Sequence, residues 1–168
     1  MTTRADMLFI AEMSVRYHRR RATFLDRTSA GMSVIILAGG ASAFGSLFGT
    51  STVFAQVVTL ILAVVGLIQV IFQVDRAAAD HRRWLKEWLS LVQQIKSNDD
   101  PAEGRIREWQ KRQYEIEAEC VGELRALQVD CFNRTVAALD LDADQTAMRW
   151  WHRAFIQVIS FESSFAKV

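Results

Sequence analysis

Charge is missing from the middle of this chain. From residue 28 to residue 74 there is no Asp, Glu, Lys, Arg or His. The flanks carry 20 basic and 19 acidic residues, a net of +1. That balance excludes the electrostatic footprint of a dedicated nucleic-acid binder. Two cysteines exclude a disulfide-stapled scaffold. One proline and eight glycines in 168 residues exclude a linker-rich or low-complexity chain. Catalytic signatures are missing too: there is no phosphate loop, dinucleotide fingerprint, H-E-x-x-H or C-x-x-C. His18, His81 and His152 lie on separate segments and suggest no metal site. Asp75, Asp80 and His81 read as a solvated juxtamembrane face. Asp140, Asp142 and Asp144 match the start of a calcium loop. Its sixth position is Gln145 and its twelfth Trp151, where glycine and glutamate are needed. The reading is a protein that is not an enzyme and has no cofactor, metal or nucleic-acid partner.

The uncharged block is long enough for two membrane spans, since a span needs about 20 apolar residues. Gly49-Thr50-Ser51-Thr52 is a turn-forming break. It gives a hairpin over 28–74, with spans at about 29–48 and 53–74. Both should be helices, because backbone polar groups in lipid must be satisfied within the segment. The second span is dense in Val, Ile, Leu and Phe and inserts on its own. The first has a small-residue run at 38–43 and inserts as half of the hairpin. Ala41-Ser42-Ala43 has the form of a signal-peptidase site. A charged leader precedes it and a stronger apolar segment follows, so the segment is expected to be retained. Arg16, Arg19, Arg20, Arg21 and Arg27 precede the first span, and Arg76, Arg82, Arg83 and Lys86 follow the second. Basic flanks stay inside, so both termini are expected in the cytoplasm.

The flanks read as helices. In the N-terminal region, 1–27, Leu8, Ala11, Val15, His18, Ala22 and Leu25 form a stripe at spacings of three and four. In the C-terminal region, 75–168, the periodicity predicts helices at about 75–96, 101–138 and 145–161. Trp84, Leu85, Trp88, Leu91, Val92 and Ile95 make the first stripe, expected to pack on the N-terminal helix. Headgroup contact is the alternative for the tryptophans. Asp100 and Pro101 read as cap and first position of the second helix. On that helix Ile106, Trp109, Gln113, Ile116, Cys120, Leu124, Leu127 and Cys131 follow a near-heptad spacing. This seam either closes back on the preceding helix or joins subunits. Cys120 and Cys131 are too far apart along one helix to bond and read as reduced core residues. Asp144 reads as the cap of the last helix, which carries Met148, Trp151, Phe155, Val158 and Ile159 on one side. That helix either lies on the membrane surface or packs in the bundle.

Inside the second span, Thr52, Gln56, Thr59, Ala63, Gly66, Gln69 and Gln73 fall on one face. Polar groups in lipid face protein or water. Gly39, Gly40, Ser42, Ala43, Gly45, Ser46 and Gly49 offer small surfaces for close helix approach. Either these faces glue the hairpin together, or several hairpins assemble with the glutamines inward. The second arrangement makes an all-α, homo-oligomeric helical bundle around a conduit. Arg27, Asp75 and Arg76 would sit at its cytoplasmic mouth.

The segment leading in, Arg16-Tyr17-His18-Arg19-Arg20-Arg21-Ala22-Thr23-Phe24, the small-residue first span and the short turn carry a likeness to a known family. So does the segment leading out, Asp75-Arg76-Ala77-Ala78-Ala79-Asp80-His81-Arg82-Arg83-Trp84. Together they resemble the SLATT family, two-spanning effector domains beside nucleotide-signalling components of bacterial antiphage systems. The resemblance covers about half the chain and includes no catalytic motif. It implies a pore-forming effector of the bacterial cytoplasmic membrane that depolarises an infected cell in abortive infection. A separate sensor or nucleotide-second-messenger component would trigger it. The alternative from the residues alone is a membrane anchor or scaffold whose cytoplasmic helices recruit a partner.

Overall fold

A computed structural model describes residues 3–46, 52–120, 124–159 and 161. Among them every element is helical: α1 Arg4–Ser46, α2 Thr52–Phe72, α3 Val74–Lys96, α4 Glu103–Glu119, α5 Arg125–Ala138 and α6 Trp150–Phe155. The chain divides into two compact units, one of Met1–Arg21 with His81–Val168, the other of Ala22–Asp80.

The first unit is organised on the N-terminal part of α1. Thr3 and Asp6 start that helix reciprocally. The Asp6 backbone N–H donates to Thr3 Oγ1 at 3.2 Å, and the Thr3 N–H donates to Asp6 Oδ2 at 2.8 Å. The Thr3 N–H and the Thr3 hydroxyl, both donating to Oδ2, hold the Asp6 carboxyl below its usual range. Met7, Ala11 and Val15, four residues apart, share one face of α1. They are buried with Trp84, Trp88, Leu91, Val92 and Ile95 of α3 and with Trp109 and Ile116 of α4. The tryptophans therefore pack on α1. A second α1 face, at Met13 and Tyr17, meets Ala126, Leu127, Val129 and Cys131 of α5, together with Ile156. Glu12 is shared by Arg16 (3.0 Å) on its own helix and Lys96 (2.6 Å) on α3.

Five sequence readings change here. The helix expected over 101–138 is two helices, because Cys120 and Leu124 are extended. The sequence there includes Gly122, a weak helix former. Asp100 is not the cap: α4 begins at Glu103 after Ala102, whose carbonyl accepts from Arg105 N at 2.9 Å. The helix expected over 145–161 is reduced to Trp150–Phe155, and Arg149 takes the cap position instead of Asp144. A side chain competes for that backbone. Asn133 Nδ2 donates to the Thr146 carbonyl at 2.7 Å, and the Thr146 N–H donates to Asn133 Oδ1 at 3.0 Å. Held by both its polar groups, Thr146 cannot join a helical ladder. The apolar side of this segment is also different. His152 and Ile156 are buried, while Trp150, Phe155, Val158 and Ile159 are exposed.

The second unit holds the rest of α1, all of α2 and the start of α3. Leu25, Val74 and Ala78 form its buried cluster, with Phe24, Met32 and Ala77 against it. From Gln56 to Lys96 the chain is long and apolar enough to cross a membrane by length and composition, and only 6% of its most apolar stretch is buried. The core helix of a soluble protein would be mostly buried. That helical run is interrupted at one residue. Gln73 has φ 43°, a left-handed conformation, and its carbonyl accepts from Ala77 N at 3.0 Å. It ends α2 and opens α3. Of the turn expected at 49–52, Gly49, Thr50 and Ser51 lie outside the described residues, and Thr52 begins α2.

Candidate functional site

The hairpin of the second unit is held by close approach. A Cβ added to Gly39 of α1 would lie 2.5 Å from Leu62 Cδ2 of α2, whereas Gly31 and Gly40 have open space. One of the predicted small residues thus makes a tight contact. The side chains of Ser42, Ala43, Gly45 and Ser46, and all of Gly49, lie outside the described residues. Among the described side chains of α2 the half-covered ones are Val58, Leu62, Val65, Gly66 and Gln69, one face by spacing. It is the face that meets α1 at Gly39. Val57, Leu60, Ile61, Val64, Leu67, Val70, Ile71 and Phe72 are exposed, as are Val34, Ile35 and Leu37 of α1.

The predicted polar stripe divides on this geometry. Gly66 and Gln69 lie on the half-covered face, at the edge of the α1 contact. Gln56, Thr59 and Ala63 are exposed, one step further round the helix. The Thr52 side chain lies outside the described residues. Gln73 leaves the stripe, because the helix ends at Phe72 and the backbone turns left-handed. Its Oε1 accepts from Arg76 Nη1 at 3.3 Å. The predicted mouth residues Arg27, Asp75 and Arg76 are all exposed. Asp75 accepts a hydrogen bond from the buried Ser29 hydroxyl of α1. This ties the start of α3 to α1 where the uncharged block begins and ends.

The first unit contains a cluster that spacing did not reveal. His18 of α1 and His81 of α3 meet Nδ1 to Nδ1 at 2.9 Å. Cys120 Sγ lies 3.8 Å from the other His18 nitrogen, Nε2. Trp84 touches both imidazoles, tilted against His18 with centroids 5.6 Å apart and edge-on to His81 at 5.1 Å. The Leu124 N–H donates to the Tyr17 hydroxyl at 2.9 Å. His18 is 5% exposed. Burial, then the charge of His81, pushes its pKa down to about 3. Nδ1 against Nδ1 requires one nitrogen to donate and the other to accept, so two doubly protonated rings cannot keep this contact. His18 was visible in sequence as a stripe member, and His81 as one of three dispersed histidines. Only the antiparallel return of the chain through α2 brings them together.

The seam is used within the chain. Trp109 and Ile116 are buried in the α1–α3–α4 core, with Ile106 and Cys120 against it and Gln113 covered. Leu127 and Cys131 are buried in the second core, with Leu124 against it. Of the two alternatives, closing back accounts for these side chains within the chain. Neither cysteine is in a disulfide. Burial pushes the Cys131 thiol up to about 11. Among the described residues no group of three His, Cys, Asp or Glu side chains is placed to hold a metal ion.

The chain therefore belongs to the class of all-helical proteins with a helix able to cross a membrane and a separately packed helical unit. It matches no known protein-family model, no curated protein and no solved structure.

Proposed function

We propose that this chain is a membrane effector whose two apolar segments insert as a hairpin and assemble with copies of itself into a conduit. The carrying observation is the exposure of Gln56 on a helix whose other outward positions are mostly large and apolar. A stripe serving only to glue the hairpin would lie wholly against α1, yet Gln56 is exposed. Lipid covers Val57, Leu60, Ile61 and Val64 favourably, but polar side chains at membrane depth favour protein or water. One hairpin has too few helices to enclose a path, so copies must supply the other walls. Neutral amides at Gln56 and Gln69 would select weakly among ions, in the absence of a charged ring. The basic flanks favour both termini inside.

The resemblance to the SLATT family supports the same reading and adds its setting. That setting is depolarisation of the bacterial cytoplasmic membrane during abortive infection, on a signal from a separate sensor or nucleotide component. The test is membrane potential in cells expressing the chain, beside Gln56→Leu/Gln69→Leu at matched membrane levels. Depolarisation by the parent and not the variant is the expected result. Equal depolarisation by both would remove the stripe from the conduit.

A second reading is an anchor whose first unit recruits a partner. Exposed Trp150 (79%), Phe155, Val158 and Ile159 favour it, as an apolar surface on the separately packed unit. Replacing both spans with an unrelated hairpin would preserve function under this reading and abolish it under the first.

A further inference from the structure

Between α1 and α5, within the first unit, lies an open groove of about 520 Å³. Its lining is Arg16, Arg19, Arg20, Arg134, Ala137 and Ala138, with no carboxylate among the described lining residues. Three of these arginines sit within five positions of one helix. Arg16 and Arg20 are four apart, where like charges repel. The carboxylates paired with Arg16, Arg20 and Arg134 are themselves largely covered. Asp130 is 8% exposed and accepts from Arg134 Nε at 2.7 Å and from Arg20 Nη1. Burial alone would raise its pKa, but the hydrogen bonds from Arg134 and Arg20 outweigh burial and hold it below the usual range. Glu12 is divided between Arg16 and Lys96.

One buried carboxylate therefore fixes two guanidinium groups. Each has five N–H donors in a rigid fork, and the bonds to Asp130 use Nε of Arg134 and one Nη of Arg20. A guanidinium held by a carboxylate is ordered before a ligand arrives, so less freedom is lost on binding. The groove is walled by cations and floored by two methyl groups, with room for a group larger than a single ion. A phosphate group, multiply charged and able to present a pair of oxygens to a guanidinium fork, matches this arrangement. A carboxylate ligand carries less charge, and a cation is repelled.

We propose that the groove of Arg16, Arg19, Arg20 and Arg134 is a binding site for a phosphate-bearing anion, a phosphomonoester or diphosphate. Such a group exists on soluble nucleotides and on lipid headgroups, and both offer the same oxygens to the forks. The site stands on the first unit alone and does not require that the chain forms a conduit.

The test uses the full chain in nanodiscs of purely zwitterionic lipid. Inorganic pyrophosphate and ATP are titrated in one arm. In the other, phosphatidic acid is doped into the discs and retained lipid is quantified by mass spectrometry. Saturable binding of one anion per chain is expected in at least one arm. It should weaken at least tenfold in Arg19→Gln/Arg134→Gln and remain within twofold in Arg107→Gln, an exposed arginine of α4. Ala138→Glu is the second variant. It leaves every arginine in place and puts a carboxylate into the groove, so it should abolish binding while the near-ultraviolet spectrum of buried Trp88 and Trp109 is kept. Binding of pyrophosphate or ATP that phosphatidic acid does not displace assigns a soluble ligand. Retention of phosphatidic acid lost in Ala138→Glu assigns a headgroup. No binding in either arm, or equal loss in Arg107→Gln and Arg19→Gln/Arg134→Gln, overturns the site.

Discussion

Acidification should loosen the contact between α1 and α3 through His18. This imidazole is 5% exposed, and its pKa falls from 6.5 to about 3, chiefly by burial and then by the charge of His81. The groups facing it are His81 and Trp84 on α3, Tyr17 beside it on α1, and the Cys120 thiol. A base with a depressed pKa is protonated more readily when its surroundings open. Its contribution is full above pH 6.5, declines as pH falls, and is lost completely by about 3. At about pH 5.5 the opened form gains about 1.4 kcal/mol over the closed one, and the whole span is worth on the order of 4 to 5 kcal/mol. Between pH 7.5 and 5.5 Glu12 and Asp130 do not confuse the reading, because both carboxyls are held below their ordinary range. The assay is chemical denaturation of the full chain in detergent, followed by the near-ultraviolet signal of Trp84 and Trp88, at about pH 7.5 and 5.5. Wild type should lose about 1.4 kcal/mol between the two. His18→Gln, which keeps a polar group but does not titrate, should be less stable at pH 7.5 and nearly flat. Parallel pH dependence in the two proteins would refute the assignment to His18.

Three further outcomes follow from separate contacts. Gly39→Val should loosen the α1–α2 contact, because its Cβ meets the Leu62 side chain, while Gly40→Ala should be silent. Cross-linking of cysteines placed in the two helices reads this, and Leu62→Ala should partly rescue Gly39→Val. Maleimide should modify half-buried Cys120 faster than Cys131, whose thiol is buried and pushed to about 11; mass spectrometry of timed samples decides, and equal rates would contradict the burial. Asn133→Ala should cost about 1 to 3 kcal/mol by orphaning two backbone groups of Thr146. It should also release the stretch before α6 to proteolysis.

Much of the helical content was readable because periodicity reports burial. Ala11, Val15, His18, Ala22 and Leu25 of the α1 stripe are buried, as are Trp84, Trp88, Leu91, Val92 and Ile95 of the α3 stripe. Both helices are long, so many positions support each pattern. The C-terminal third misled for the opposite reason. A near-heptad spacing runs unbroken from Ile106 to Cys131, yet it crosses two extended residues and serves two different cores. Spacing counts residues along a chain and does not register a break that preserves the count. The segment before α6 failed through a tertiary competitor. Asn133 lies thirteen residues from Thr146 and binds both of its backbone groups, which no local propensity reports.

The candidate sites differ in the same way. The stripe of Gln56, Thr59, Ala63, Gly66 and Gln69 was legible because a polar residue among branched ones stands out. Its split between a covered edge and an exposed edge was not, since that depends on where Gly39 lets α1 approach. Gln73 obeys the spacing but not the helix: at φ 43° it sits where the backbone must turn left-handed. Replacing it with glycine, which has no Cβ penalty there, should stabilise the junction by about 1 kcal/mol. If Gln73 instead belonged to a continuous lining helix, glycine would destabilise by a similar amount. The sign of that one change, read by thermal unfolding of the full chain in detergent, separates a built break from a continuous helix. A break leaves Gln56 and Gln69 as the amides of the stripe and gives Gln73, through Arg76, to the boundary where the uncharged block ends.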